Sequence, residues 1–480
     1  MEKLIGRENE VAELKRCFQS ERSEFVIVYG RRRIGKTFLV NSVFDEKFDF
    51  YYTGMHQVDT QRQLGKFSLA LQEYSHSTFA PELRDWFDAF RALQLLLATK
   101  PRSQRKLLFI DEMPWMDGEA SDFVVALEDF WNGWAAQRGD ICLIACGSAT
   151  AWMVNHLVEN QGGLHNRITS KIYLRPFTLS ECELYLRSRR CLWDRYQIMQ
   201  SYMCLGGIPF YYSLLDGTKS FAQNVDLLFF QNGAKLLNEF DELYQALFKG
   251  AEKYIQLVRL LATRKEGMTR QELLDCSKIQ GQRLTNMLSN LEMSDFVIGY
   301  SRYGSKKKGI VYRVKDFYTL FYLKFIEHVR TQNEPYWTFM VNTPQVLSWQ
   351  GFSFELVCLT HLNQIKQRLG LTAIQTYASC WRSNKSENAV NTQIDLLIER
   401  ADRVINLCEI KFSVKPYNIT REYEEKLRLR MALFDVETKN RKMLLPTMIT
   451  TYGVLPSVHS GIVQAEVTMD DLFAPNYQNK

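Results

Sequence analysis

Apolar and polar positions along the chain fall into two kinds of block. Short solid apolar runs occur at "EFVIVY" (24–29), "KLLFI" (106–110) and "ICLIAC" (141–146). Runs this short, bounded by polar or glycine-rich segments, predict strands buried on both faces. Farther on the period lengthens. Residues 250–315 read as helix, helix, helix and hairpin, with Leu284, Leu288 and Leu291 on one helical face. "WQGFSFELVCLTHLNQIKQRLG" (349–370) is amphipathic, with Phe354, Val357, Cys358, His361 and Leu362 as its expected buried side. A weak strand around Ala373–Tyr377 follows. "TQIDLLIERADRVINLCEIKFS" (392–413) then reads as a hairpin turning at Arg400–Arg403, and "REYEEKLRLRMALF" (421–434) as a helix.

Composition narrows this little. At 480 residues the chain is too long for one core, and about two to four domains are expected. Eleven prolines and 25 glycines are few, so long linkers are not expected and domains should abut. The charged opening "MEKLIGRENE" has no apolar core and does not resemble a signal peptide. No apolar run approaches the roughly eighteen residues of a membrane span. The ten cysteines lack C-x-x-C spacing, which predicts reduced thiols, a cytoplasmic setting and no zinc module. Cys142 and Cys146 share one face of an expected buried strand and read as core. A net charge of +6 permits a nucleic-acid partner without requiring one.

The chemistry begins at "GRRRIGKT" (30–37), a Gly-x-x-x-x-Gly-Lys-Thr motif between an expected strand and helix. Gly30 and Gly35 let backbone N–H groups face phosphate oxygens. Lys36 would hold the β- and γ-phosphates of ATP, and the Thr37 hydroxyl would ligate Mg²⁺. Of the three loop arginines, two are expected to face solvent or a neighbouring subunit. Arg33 and Phe38 join Gly30, Gly35, Lys36, Thr37 and Asp111 as the residues expected around the nucleotide. "KLLFIDEMPW" (106–115) ends its strand in two carboxylates. Asp111 would hold Mg²⁺ through water, and Glu112 is placed to polarise the attacking water. Ser148, with Gly147 at the end of the expected strand "ICLIACGSA" (141–149), is placed to sense the γ-phosphate. Arg167 is either a surface arginine or one that stabilises phosphoryl charge, in cis or from a neighbouring subunit. All these strand motifs sit at carboxyl ends, where open α/β sheets bind ligands.

"IGRENEVAELK", "VYGRRRIGKTFL", "FIDEMPW", "CGSATAWM", "NRITSKIYLRPF" and "CLGGIPFYY" together resemble the archaeal-type P-loop ATPases of the STAND-related clade of the AAA+ class. The likeness covers roughly the first 330 residues. It implies an α/β fold: a five-stranded parallel sheet (1–175), a helical lid (176–248) and a winged helix (249–330). It also implies that Gly6, Arg7 and Glu8 lie beside the adenine, and that Gly206, Gly207 and Pro209 form a turn in the lid. The lid shows no clear arginine of the second-sensor type.

Thr269 and Glu272 have the spacing of a capping box. In the expected hairpin "RYGSKKKGIVYRV", Arg302, Lys306, Lys307 and Lys308 form a basic tip. With Gln282, Arg283 and Asn286 it would contact DNA, or else serve as a solubilising turn.

In "NLCEIKFS" (406–413), Glu409 and Lys411 share one face of an expected strand. They are either a solvated ion pair or part of a metal-dependent phosphodiesterase site. The order helix with Glu355, strand with Asp395, strand with Glu409 and Lys411, then a helix with Tyr423, Lys426 and Arg430 resembles the restriction-endonuclease-like fold, over roughly 345–460 of an expected domain at 331–480. Ile394 stands where such folds often carry proline. Cleaving a phosphodiester calls for one or two Mg²⁺ ions. Glu355, Asp395 and Glu409 are the expected ligands, with Lys411 steadying the nucleophilic water.

The expected protein is a Mg²⁺-dependent ATPase coupled through a winged helix to a nuclease-like domain acting on DNA, in defence or mobile-element maintenance. A homo-oligomer or protein partner is compatible with this reading. The alternative is an ATP-controlled, non-nucleolytic switch that binds DNA or protein.

Overall fold

The computed structural model describes residues 3–119, 121–159, 162–164, 166–304, 310–329, 335–383 and 392–475. The chain divides into two compact units. The first comprises Met1–Pro176 with Glu242–Ala251 and Ser289–Ser294, and the second holds the remainder.

The first unit is built on a parallel sheet. Its strands are β1 (Glu24–Tyr29), β2 (Phe50–Thr53), β3 (Lys106–Asp111), β4 (Ile141–Gly147) and β5 (Ser170–Tyr173). They lie in the order β2-β3-β4-β1-β5. The three solid apolar runs become β1, β3 and β4, the central strands of this sheet, and their side chains are buried almost without exception. Phe25 and Ile27 face one way, into a core with Leu64, Phe67, Trp86, Phe90 and Phe123 from the helices Thr60–Ser75, Trp86–Ala98 and Phe123–Phe130. Asp59 and Asp85 cap two of these helices by accepting backbone N–H bonds at 2.8 Å. Cys142 and Cys146 are buried in β4, and burial raises both thiols above their ordinary range.

The second unit holds a small antiparallel sheet and a mixed sheet, which meet where the Tyr303 N–H donates to the Cys380 carbonyl at 2.7 Å. The small sheet joins β6 (Met268–Thr269), β7 (Val297–Ser301) and β8 (Ile310–Val314) in the order β6-β8-β7. It accompanies the helices Ala251–Ala262, Arg270–Ser277 and Gly281–Met293, of which the first residue of the first and the end of the last from Ser289 belong to the first unit. The Thr269–Glu272 capping box forms, and Leu284, Leu288 and Leu291 are buried. Lys306, Lys307 and Lys308 lie outside the described residues.

The mixed sheet runs β13-β12-β11-β10-β9, where β9 is Thr376–Arg382, β10 Gln393–Arg400, β11 Val404–Lys411, β12 Met443–Thr450 and β13 Ala465–Thr468. β9, β10 and β11 are antiparallel, whereas β12 and β13 continue parallel to β11. One face packs Leu397, Ile405 and Leu407 against Phe434 of the helix Arg421–Thr438. On the other, Phe412 meets Phe354 of the helix Pro344–Thr360 at 5.2 Å between ring centroids. That helix begins at Pro344, ahead of the expected 349, because proline is pre-shaped for a first helical turn. The weak strand expected near Ala373 forms a few residues later, at β9.

Candidate functional site

In the first unit β1 feeds directly into the glycine loop and the helix Lys36–Phe44. Gly30 has φ 141°, and a Cβ there would lie 2.4 Å from the Leu174 carbonyl oxygen. Gly35 has φ 86° and starts the helix from the left-handed region, which glycine occupies without steric cost. Lys36 is buried, and its ammonium donates to the Gly30 and Arg31 carbonyls at 3.1 and 3.0 Å. Burial lowers its pKa, opposed by the charges of Glu112 and Asp111.

The Thr37 hydroxyl donates to Asp111 Oδ2 at 2.8 Å. Burial raises the Asp111 carboxyl, and repulsion from Glu112 adds to it, while the Thr37 bond opposes both. A threonine hydroxyl beside a buried, under-compensated carboxylate is the donor set a magnesium ion takes. Glu112 itself has φ 46°, and its carboxylate accepts from both the hydroxyl and the backbone N–H of Ser148. Thr37, Asp111, Glu112 and Ser148 are therefore joined by hydrogen bonds at the carboxyl ends of β3 and β4, while Lys36 is held by the loop carbonyls.

Three expected residues stand apart from that group. Arg33 has φ 70° and lies 3.8 Å from Glu242. Phe38 is exposed on the first turn of the helix. Arg167 is exposed in the turn before β5 and makes no ion pair among the described residues.

Residues 4–190 match the family model described as an ATPase domain predominantly from Archaea. The first unit carries an archaeal-type ATPase domain. An uncharacterised protein of Methanocaldococcus jannaschii, MJECL04, is 23% identical over 327 residues, which is 67% of this chain and 69% of that protein. Among solved structures, the Walker-type ATPase paby2304 of Pyrococcus abyssi is similar at TM-score 0.48 and 15% identity, covering 67% of this chain and 96% of that one. The Aeropyrum pernix ORC2 protein in its ADPNP–ADP complexes gives 0.41 and 15%, over 67% and 93% of the two chains. The STAND protein PH0952 of Pyrococcus horikoshii, with its tetratricopeptide repeat sensor, gives 0.31 and 16%, over 78% and 52%. All three scores lie below 0.5, too low for the likeness to speak for function.

In the second unit a cavity of about 320 Å³ opens at the end of the mixed sheet, and Glu355, Asp395 and Lys411 line it. Asp395 sits where the β9–β10 register shifts between Ile394 and Leu397. Such a bulge re-aims a side chain. Glu409 and Lys411 do share a face, with the Lys411 ammonium 2.8 Å from the Glu409 carboxylate. Glu409 also accepts from the Tyr423 hydroxyl and the Arg430 guanidinium, both on the helix Arg421–Thr438. Burial works to raise Glu409, but Lys411 and Arg430 outweigh it and hold the carboxyl below its ordinary value. Lys426, the third residue singled out on that helix, pairs with Glu422 at the surface instead.

The other two carboxyls behave oppositely. Burial and then the charge of Asp395 push Glu355 up to about 8. Asp395 is raised by burial and then by Glu409, against the opposing charges of Arg313, Arg430 and Lys411. Among the described residues no three His, Cys, Asp or Glu side chains stand close enough to bind a metal as they are. The physical reason lies in the balance of charge: Glu409 is committed to Lys411, Arg430 and Tyr423, while Glu355 and Asp395 repel one another. Two partly buried carboxyls with raised pKa values are nonetheless a set that a divalent cation would relieve.

Arg313, on β8, escaped the sequence reading. It too lines the cavity, with its guanidinium 4.4 Å from the centre of the Phe352 ring and 3.9 Å from Glu355. The one available signal was a charged residue interrupting the apolar "IVYRV" strand.

Proposed function

We propose that the protein is a Mg²⁺-dependent ATPase that controls a metal-dependent, nuclease-like site acting on DNA. The observation that carries the second half is the cavity at the end of the mixed sheet, where Glu355, Asp395 and Lys411 meet. Acids from a helix and a bulged strand beside a lysine from the next strand are what phosphodiester cleavage requires.

In the ATPase domain, Lys36 binds the β- and γ-phosphates, and the loop N–H groups close around them. Thr37 and Asp111 would hold magnesium, which when bound neutralises charge on the phosphates. Glu112 orients the attacking water and takes its proton, with Ser148 fixing the aim of the carboxylate. In the second unit Asp395, Glu409 and Glu355 would hold the cation, which when bound polarises the scissile phosphate. Lys411 steadies the nucleophilic water or the developing charge, and Arg430 with Tyr423 holds Glu409 in place.

Residues 176–248 act as the helical lid, and the part of it in the second unit, Phe177–Asp241, touches the mixed sheet. Tyr196, on the helix Arg195–Leu205, stacks on Phe412 at 5.2 Å and 16°. Phe412 immediately follows Lys411. His361 ties the same regions together: its Nε2 accepts the Leu179 N–H at 3.2 Å, and its ring meets Tyr202 edge-on. The helices Ala251–Ala262, Arg270–Ser277 and Gly281–Met293 with the small sheet act as a winged helix, whose basic tip contacts DNA phosphates. No described helix is long and apolar enough to cross a membrane, and the protein is proposed to work in the cytoplasm on foreign or mobile DNA.

Cleavage assays on linear, supercoiled and single-stranded DNA, with Mg²⁺ or Mn²⁺ and with or without ATP, test this reading. Cleavage that requires the divalent ion and responds to ATP supports it. ATP turnover with no cleavage under any of these conditions would favour the non-nucleolytic switch, a reading supported by the three partners that already occupy Glu409.

A further inference from the structure

The wall of the cavity facing the carboxylates comes from a different module, the small sheet, and its central feature is Arg313. The residue is 4% exposed, yet its Nε and Nη2 find no hydrogen-bond partner among the described residues. Glu355 stands near at 3.9 Å, beyond hydrogen-bond reach, and Phe352 covers one guanidinium face. A guanidinium stays charged however deeply it is buried. Buried donors left unmade are costly, and a chain keeps them where a ligand completes them. Its charge offsets Glu355 at 3.9 Å, but no acceptor meets Nε or Nη2, and those two donors are left for a ligand.

The surrounding charges decide what kind of ligand is missing. Arg382 is engaged by Glu266 at 3.5 Å and Lys411 by Glu409 at 2.8 Å, whereas Lys265 and Arg302 add positive charge to a lining that also holds Glu355 and Asp395. The donors on Arg313 require an acceptor, and a planar fork of N–H groups fits two oxygens of one phosphate. We propose that Arg313 seats a phosphodiester group of a nucleic-acid strand, so that the nuclease-like site is completed by a residue from the small-sheet module. This rests on the nuclease-like reading of the cavity and deepens it. It makes the small sheet part of the site: the mixed sheet brings carboxylates and Lys411, and β8 brings the phosphate holder.

The test uses the full chain and a fluorescein-labelled single-stranded DNA of about twenty nucleotides. Affinity is measured without divalent metal across a series of salt concentrations, with an RNA of the same sequence in parallel. Arg313→Gln should weaken binding about tenfold or more and flatten the plot of log affinity against log salt by about 0.7, the loss of one phosphate contact on a single strand. Arg313→Lys should restore the slope while leaving affinity reduced, since it keeps the charge and loses the fork. Arg313→Met, with its far-UV circular dichroism retained, should lose affinity and slope as Arg313→Gln does, which separates a lost phosphate contact from a lost fold. Unchanged affinity and slope in Arg313→Gln, or cleavage faster than wild type, would overturn the assignment, the latter by making the arginine a plug. Those results leave the nuclease-like reading standing if wild type cleaves with Mn²⁺. A wild type that neither binds nor cleaves either nucleic acid removes that reading and this proposal together.

Discussion

The Ser148 hydroxyl lies 2.7 Å from both carboxylate oxygens of Glu112, and the Ser148 backbone N–H points at Oε2 from 3.2 Å. Glu112 holds this position from a left-handed backbone with φ 46°, which an ordinary side chain adopts at some cost. The strain makes the aim of the carboxylate depend on its partner. Ser148→Ala should therefore leave ATP affinity near wild type and lower turnover about tenfold, measured by equilibrium binding and phosphate release. Glu112→Gln removes the proton acceptor itself and should lower turnover by about a hundredfold or more with binding retained. Faster turnover in Ser148→Ala would mean that the bond restrains the glutamate rather than aims it.

Nucleotide binding should be visible as stability. With Mg²⁺ and ATP at about a hundred times the dissociation constant, a ligand confined to the folded state contributes about 2.7 kcal/mol. In a domain of this size the melting temperature should rise by roughly 5–10 °C. Lys36→Ala should erase that rise. Gly30→Ala should erase it too and also lower the unliganded melting temperature, because the new Cβ meets the Leu174 carbonyl at 2.4 Å. An undiminished ATP-induced rise in Lys36→Ala would place the nucleotide elsewhere.

How far the sequence disclosed these sites follows from how local each one is. The glycine loop is contiguous, so its spacing alone specified Gly30, Gly35, Lys36 and Thr37. Asp111 and Glu112 were legible because an apolar run marks a strand and its end. Glu409 and Lys411 share a face by the two-residue period, and that too was readable. Arg430 stands out in the sequence with Tyr423 and Lys426 on its helix, although its bond to Glu409 crosses a helix–sheet packing that no local period encodes. The other arginine of the second site shows where reading fails. Arg313 enters from another module, and only the folded chain brings β8 beside Glu355. The stack of Tyr196 on Phe412 is of the same kind, a contact set by tertiary packing and by nothing in either segment.

The partly buried acids of the cavity predict a dependence on pH. Glu355 is pushed up to about 8 by burial and by Asp395, so the folded chain keeps a proton that the unfolded chain releases near 4.5. Stability from this group is full below that lower value and is lost as pH rises towards 8. Burial lowers His361 to about 4, so its contribution runs the other way, lost as pH falls below about 6.5. Above pH 6.5 the acid dominates. Glu355→Gln should consequently gain on wild type between pH 6.5 and 8, by up to a few kcal/mol on the scale of 1.36 kcal/mol per pKa unit. Denaturant unfolding at pH 5, 6.5 and 8 reads this directly. A constant difference across that range would show that Glu355 is ionised throughout.

The last prediction concerns Asp395 and Lys411. If the cavity is a nuclease-like site, Asp395→Ala and Lys411→Ala should each abolish metal-dependent DNA cleavage while ATP turnover stays near wild type. The substitutions remove a carboxylate and an ammonium from the second unit and touch none of the residues around Lys36. Their effects on folding should differ. Losing Asp395 removes a charge that burial and Glu409 already disfavour, so stability should hold or rise. Losing Lys411 leaves Glu409 bonded to Arg430 and Tyr423, so the carboxylate stays compensated and the fold persists. A plain ion pair predicts something else, a change of about 0–1 kcal/mol and no effect on any activity. Equal cleavage by wild type and both variants, measured on the same preparations as ATP turnover, would trace the activity to a contaminant and leave Glu409 and Lys411 as a structural pair.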